Sequence, residues 1–129
     1  MKNLKFHGEH AWIAVNGHHG TIGISDYAQQ QLGEIIYVDL PDIETEIKAG
    51  EPLCALESNK VATDVIAPVS GTVIEVNEIL NDEPQRINAS PYEEGWLVKV
   101  ILKKPAELDA LMDQAAYDKS IFDRISETA

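Results

Sequence analysis

Apolar and polar residues alternate with a period of two through much of the first eighty positions, the spacing of strands with one buried face. Residues 11–15 alternate weakly and run into Asn16-Gly17, a dipeptide that favours a hairpin turn. Gly20-Thr21-Ile22-Gly23-Ile24 reads as the partner strand. Ser25 or Asp26 can cap a short helix that runs to Leu32, and Gly33 is placed to stop it. Residues 33–40 are β-rich and end at Pro41, residues 43–47 alternate as Ile-Glu-Thr-Glu-Ile, and Lys48-Ala49-Gly50-Glu51 makes a turn. Residues 53–57 and 61–65 then alternate on either side of the short polar link Ser58-Asn59-Lys60. This pattern predicts a hairpin over about 53–66 with Lys60 at or beside its tip. Pro68-Val69-Ser70-Gly71 marks another turn, and residues 72–76 alternate as a half-buried strand. Segment 33–38 echoes segment 71–76, although two strands of generic composition give the same likeness.

The period changes at Pro105, a residue suited to the first position of a helix. Leu108, Leu111, Met112 and Ala115 follow at helical spacing, predicting a helix that lays one apolar face on a β core. A second helical turn is expected over 118–125. The expected architecture is mainly β, with short helices and a C-terminal helical segment over about 105–126, in one domain spanning 1–129.

Composition narrows the function. The apolar share of 44% supports an ordinary core. No apolar run approaches the roughly 20 residues that cross a bilayer, and Met1-Lys2-Asn3-Leu4-Lys5 leads into polar sequence without a secretory h-region, so a cytoplasmic protein is expected. The net charge of −12 argues against nucleic acid, whose affinity rests on Lys and Arg meeting phosphates. It suits either solubility or steering toward a basic docking face. Cys54, the single cysteine, excludes an internal disulfide. Its apolar neighbours Leu53 and Ala55 mark it as a small buried hydrophobe, without the positive surroundings of a reactive thiolate. His7, His10, His18 and His19 cluster near the N-terminus without the ligand spacing of a zinc site, so no metal is expected. Glu44, Glu46, Glu93 and Glu94 read as exposed acids, and Trp12, Trp96 and Tyr92 as packing residues. No nucleophile elbow, phosphate loop or dinucleotide fingerprint occurs. A non-catalytic protein is expected. Its one chemical handle is an exposed hairpin lysine, which an enzyme could acylate to a neutral amide and which is otherwise an ordinary solvated lysine.

Glu57, Lys60 and Gly71 are similar to the lipoylation signature, in which an acid lies three residues before the modified lysine and a glycine eleven after it. More of the chain resembles the glycine cleavage system H protein family: His10-Ala11-Trp12, the run from Gly23 to Gln29, Leu32-Gly33-Glu34-Ile35, Val38-Asp39-Leu40-Pro41, Ala67-Pro68-Val69-Ser70-Gly71, Val76-Asn77-Glu78, Asn88-Ala89-Ser90-Pro91-Tyr92 and Gly95-Trp96-Leu97. The resemblance covers residues 4 to about 118. It implies a flattened barrel-sandwich hybrid of the lipoyl/biotinyl-carrier type, with two antiparallel sheets, short helices and a C-terminal helix. It further implies lipoic acid bound covalently to Lys60, with Glu57 and Gly71 as the lipoylation-recognition residues, the acid read by the modifying enzyme and the glycine permitting a tight turn in the neighbouring strand connection, and Asp64 and Glu34 as candidates to contact the arm. The implied partners are a pyridoxal-phosphate glycine decarboxylase, an aminomethyltransferase, a dihydrolipoamide dehydrogenase, and a lipoate ligase or lipoyl transferase. The implied cargo is the aminomethyl group of glycine.

Two departures matter. Ala11 stands where the family places an acid before the tryptophan, which leaves Glu34, Asp39 or Asp64 to meet a cationic cargo. Asn59 and Val61 stand where the family has valine and alanine around the lysine. These keep a second reading open, a lipoate-binding relative serving another pathway such as bacterial sulfur oxidation, or a lipoyl relay. A biotinyl carrier fits less well, because such domains set the lysine in Ala-Met-Lys-Met and both methionines are missing here.

Overall fold

A computed structural model describes residues 4–128; residues 1–3 and 129, the ends of the expected domain, lie outside the described residues. Two antiparallel sheets face each other across the core, and neither closes into a barrel. The larger is built from β1 (Leu4–Phe6), β2 (Ala11–Asn16), β3 (His19–Ile24), β5 (Glu46–Ile47), β8 (Gly71–Val76) and β9 (Val98–Leu102), in the order β1-β2-β3-β9-β8-β5. The smaller has the order β4-β6-β7, with β4 at Ile35–Asp39, β6 at Pro52–Ser58 and β7 at Ala62–Ile66. This is the mainly β, two-sheet architecture that the resemblance implied.

The main core is where the inner faces meet: Ile13, Ile22, Val73, Val98 and Val100 from the larger sheet, Ile35, Val38, Leu56 and Val65 from the smaller. A second cluster of Leu4, Phe6, Trp12 and Tyr117 buries the opposite face of β2. There Phe6 and Tyr117 stack with ring centroids 4.3 Å apart. Burying both faces of β2 explains why its pattern alternates only weakly.

The helix α1 (Asp26–Leu32) starts as expected: the Ser25 side chain accepts from Ala28 N, and Gly33 ends the helix with φ 86°. Two expectations are corrected. Of residues 43–47 only Glu46 and Ile47 form a strand, because Asp42 to Thr45 turn, with Glu44 at φ 76° and Thr45 N donating to Asp42 O at 3.2 Å. The helix expected through Leu108, Leu111, Met112 and Ala115 is broken in two. A 3-10 turn covers Pro105–Ala110, Leu111 is extended, and α3 begins at Gln114 and runs to Thr128. The break arises because Met112 exchanges two backbone hydrogen bonds with Phe6, at 2.7 and 2.9 Å, which draws it out as an extra edge partner of β1. The helix restarts at once, with Asp113 Oδ1 accepting from Ala116 N at 2.8 Å. Ala115 is therefore exposed, and among the residues of α3 whose side chains are described the buried one is Tyr117. Leu108 and Leu111 still pack on the main core and Met112 on the second. The short helix α2 (Arg86–Ala89), the 3-10 turn Glu78–Asn81 and strands β1 and β9 were not foreseen. Among the described residues, no helix is long and apolar enough to cross a membrane.

Candidate functional site

Strands β6 and β7 form the predicted hairpin, in a register that sets Glu57 opposite Ala62 and Leu56 opposite Thr63. Its turn is shaped by one side chain. Ser58 is 5% exposed. Its Oγ accepts from the backbone N–H of Lys60 and of Val61, both at 3.1 Å, and its own N–H donates to Val61 O at 2.8 Å. A serine hydroxyl that satisfies the two amides following it holds a tight turn closed without a glycine. Lys60 is exposed at the tip.

The tip leans on the link between α1 and β4. Asn59 N donates to Glu34 O at 3.1 Å. Gly33 offers a bare α-carbon to the lysine: a Cβ there would lie 3.1 Å from Lys60 Cε and 3.1 Å from Asn59 Oδ1. Glycine at this point thus ends a helix in a conformation other residues resist and also leaves room for the lysine stem.

Hollows flank the hairpin. One, of about 270 Å³, is lined by Ile24, Leu32, Leu56 and Val65, with Glu9 and Asp64 among its polar members. The other, more open, is lined by Gln29, Gly33, Glu34, Gln85 and Asn88. The two candidate arm contacts, Asp64 and Glu34, therefore line different hollows. Ala11 is 1% exposed and packs in the main core.

Glu57 is exposed, with Tyr37 of β4 opposite it on one side and Ala62 on the other. Gly71 is buried in β8, where a Cβ would collide with Ile101 O. We expected this glycine to permit a turn; its physical requirement is instead the close approach of β9. Asp39 and Asp64 both pair in register with Ala55, beside Cys54. Burial first, then these two carboxylates, push the Cys54 thiol up to about 12, so it is inert at neutral pH. The histidines take separate roles: His10 Nδ1 lies 2.7 Å from the Tyr117 hydroxyl, while His18 lies in the β2–β3 turn and His19 opens β3. Among the described residues, no group of three His, Cys, Asp or Glu side chains could hold a metal ion.

Ser58, Gly33, Asn88 and Glu9 are the site residues that sequence reasoning missed. Only Ser58 carried a usable signal, a serine directly before two polar turn residues.

A two-sheet body that presents one lysine on a braced hairpin, with an amphipathic hollow beside it, is the build of a swinging-arm carrier. The family described as Glycine cleavage H-protein matches residues 4–124. The glycine cleavage system H protein of Vibrio vulnificus is 52% identical over 121 residues, covering 93% of this chain and 96% of that one. Its counterpart from Carboxydothermus hydrogenoformans is 48% identical over 118 residues, covering 92% and 91%. The crystal structure of a glycine cleavage system H protein from Mycobacterium marinum superposes with a TM-score of 0.80 at 30% identity, covering 91% of this chain and 94% of that one. The chain belongs to the glycine cleavage H-protein family, the lipoyl carriers of the glycine cleavage system.

Proposed function

We propose that Lys60 is the lipoylated residue of this carrier and that the chain shuttles the aminomethyl group of glycine between the enzymes of the system. The observation that carries the assignment is the braced hairpin, which leaves the Lys60 amine exposed while fixing the backbone beneath it. The lipoyl group would supply a dithiolane that opens to a dithiol, one sulfur of which can hold a cargo.

The rest falls to this chain's residues. Lys60 supplies the amine that becomes the amide anchor. Glu57, exposed one strand residue before the turn, is the acid a modifying ligase or transferase can read. Gly71 keeps β8 against β9 and so supports the sheet behind the hairpin. Ile24, Leu32, Leu56 and Val65 line an apolar hollow that suits a hydrocarbon arm and a disulfide ring. Glu9 and Asp64 are the carboxylates that hollow offers to a protonated amine, a role Ala11 cannot fill. Glu34 faces the other hollow, and its carbonyl serves the hairpin. Tethering raises the effective concentration of cargo at each docked enzyme. Those enzymes are a pyridoxal-phosphate glycine decarboxylase, an aminomethyltransferase and a dihydrolipoamide dehydrogenase; the carrier itself is non-catalytic.

Peptide mass spectrometry after treatment with lipoate ligase tests the assignment. The expected adduct is on Lys60 alone. An adduct that persists in Lys60→Ala would overturn it, and turnover of glycine by the unmodified chain would overturn the non-catalytic reading.

A further inference from the structure

We propose that Asn88 is a positioning residue for Lys60, acting from α2 through the Gly33–Glu34 link to set the direction in which the hairpin presents its amine. The proposal rests on the reading of Lys60 as the acylated lysine and adds the part of the fold that determines how well a modifying enzyme finds it.

The Asn88 side chain spends both ends of its amide on one short stretch of backbone. Its Oδ1 accepts from Ile35 N at 2.9 Å, and its Nδ2 donates to Gly33 O at 2.8 Å and to Gln29 Oε1 at 2.9 Å. The carbonyl before Glu34 and the amide after it are thus held by one planar group. The amide suits this, because it offers an acceptor to one neighbour and two donors on the same planar group to the others. The stretch it grips is the one on which the tip rests. Glu34 O accepts from Asn59 N, and the bare α-carbon of Gly33 faces Lys60 Cε and Asn59 Oδ1. The chain of contact runs from Asn88 to the Gly33–Glu34 backbone and on to Asn59 and Lys60.

The closure of the turn and its orientation are separable. Ser58 closes the turn with hydrogen bonds internal to 58–61, none of which involves Asn88. Loss of Asn88 therefore leaves a formed turn that samples several directions. If only a fraction of molecules presents the lysine correctly, apparent affinity for the modifying enzyme falls by that fraction. Once seated, the hairpin is oriented by the enzyme, so the defect belongs in KM and not in kcat. Losing hydrogen bonds of ordinary strength corresponds to roughly a three- to tenfold rise in KM.

The test compares the full chain with Asn88→Ala and with the near-isosteric Asn88→Asp, which keeps the acceptor, loses both donors and leaves no cavity. Amide exchange is followed at Asn59 and Ile35, at Lys60 and Val61, and at Leu97, whose N–H donates to Ile22 O in the core. In both variants exchange should quicken roughly tenfold at Asn59 while Lys60, Val61 and Leu97 hold. Ile35 should quicken most in Asn88→Ala. Lipoylation by purified lipoate ligase should show the KM rise with kcat within about twofold of wild type. Acetylation of Lys60 by a small acylating reagent should be unchanged, since the amine is exposed throughout. Unaltered exchange at Asn59 in both variants would overturn the proposal. So would a released Asn59 with unchanged KM, or a uniform rise in exchange together with a fall in kcat. Failure of the wild-type chain to accept lipoate at Lys60 would instead sink the carrier assignment, and the exchange data alone would then decide whether Asn88 orients the hairpin.

Discussion

The β2–β3 hairpin and the β6–β7 hairpin solve the same turning problem with different chemistry. In the first, Asn16 pairs with His19 and the loop is Gly17-His18, with Gly17 at φ 65°. The backbone makes that turn, as in the primed turns that match strand twist, and nothing lies within 4 Å of the place where a Gly17 Cβ would stand. In the second, no residue from Ser58 to Val61 has positive φ. A buried hydroxyl makes the turn, and its tip rests on Glu34 O and Gly33. Where a turn only joins strands, one tie to the neighbouring strand suffices: His18 O accepts from Leu102 N at 2.8 Å. The hairpin that carries the proposed lipoyl lysine is closed by its own serine and rests on a separate part of the fold.

The comparison can be broken most completely at Lys60 itself. Lys60→Arg should abolish lipoylation, because Arg keeps the charge but has no acylable amine. Intact-mass spectrometry reads that loss, and an unchanged thermal midpoint should show that the tip contributes function and little stability.

Ser58→Ala removes the acceptor for two amides in a buried position and should cost about 1–3 kcal/mol in urea unfolding. The matching change in the other hairpin, Gly17→Ala, should cost about 1 kcal/mol through its positive φ and leave lipoylation untouched. Equal effects of the two changes on Lys60 modification would erase the distinction between the turns.

Cys54 reports on the smaller sheet alone, since the chain has no other cysteine. Its thiol stays protonated in the fold up to about 12, against an ordinary value of 9.0. The unfolded chain therefore releases a proton that the folded chain keeps, and stability should fall as pH rises through that window. The slope is at most about 1.4 kcal/mol per pH unit. Urea midpoints measured from pH 8 upward should show this decline, and Cys54→Ala should flatten it. Thiol labelling at pH 8 should be slow in wild type and faster in Ser58→Ala, because only opening of the sheet exposes the sulfur.

The smallest effect is expected on the far edge of the larger sheet. Lys103 donates to Glu46 Oε1 at 2.7 Å and is the main cause, ahead of Thr72, that holds the Glu46 carboxyl below its ordinary 4.5. A lowered carboxyl value stabilises the fold above that ordinary value, and the gain is lost as pH falls through the lowered one. The difference in thermal midpoint between wild type and Lys103→Met should therefore be small at neutral pH and vanish on acidification. Lys60 modification should not change.

The same contrast decides what could be read in the sequence. The β2–β3 turn was legible because Asn-Gly announces it, and the Lys60 hairpin because two alternating runs flank a polar link. Its bracing was not legible: Asn88 lies 53 residues from Ile35, and no local pattern joins them. Strand β9 was legible in principle, since Val98, Val100 and Leu102 are buried while Ile101 is exposed. The tail misled because Leu108, Leu111 and Met112 do reach apolar clusters, as a helix face would, yet the chain gets there by an extended step. That step is dictated by Phe6, a partner from the opposite end of the sequence.

The strand order of the two sheets also sets a timetable for synthesis. The smaller sheet uses only residues 35–66, so all its strands are present once the first half of the chain has been made. The larger sheet has β9 inserted between β3 and β8 and cannot close until residue 102 exists. Asn88 is made between those two moments. A nascent chain thus holds the strands of its lysine hairpin before it holds the residue that aims it or the sheet that backs it, and the platform is finished only as the last fifth of the chain is made.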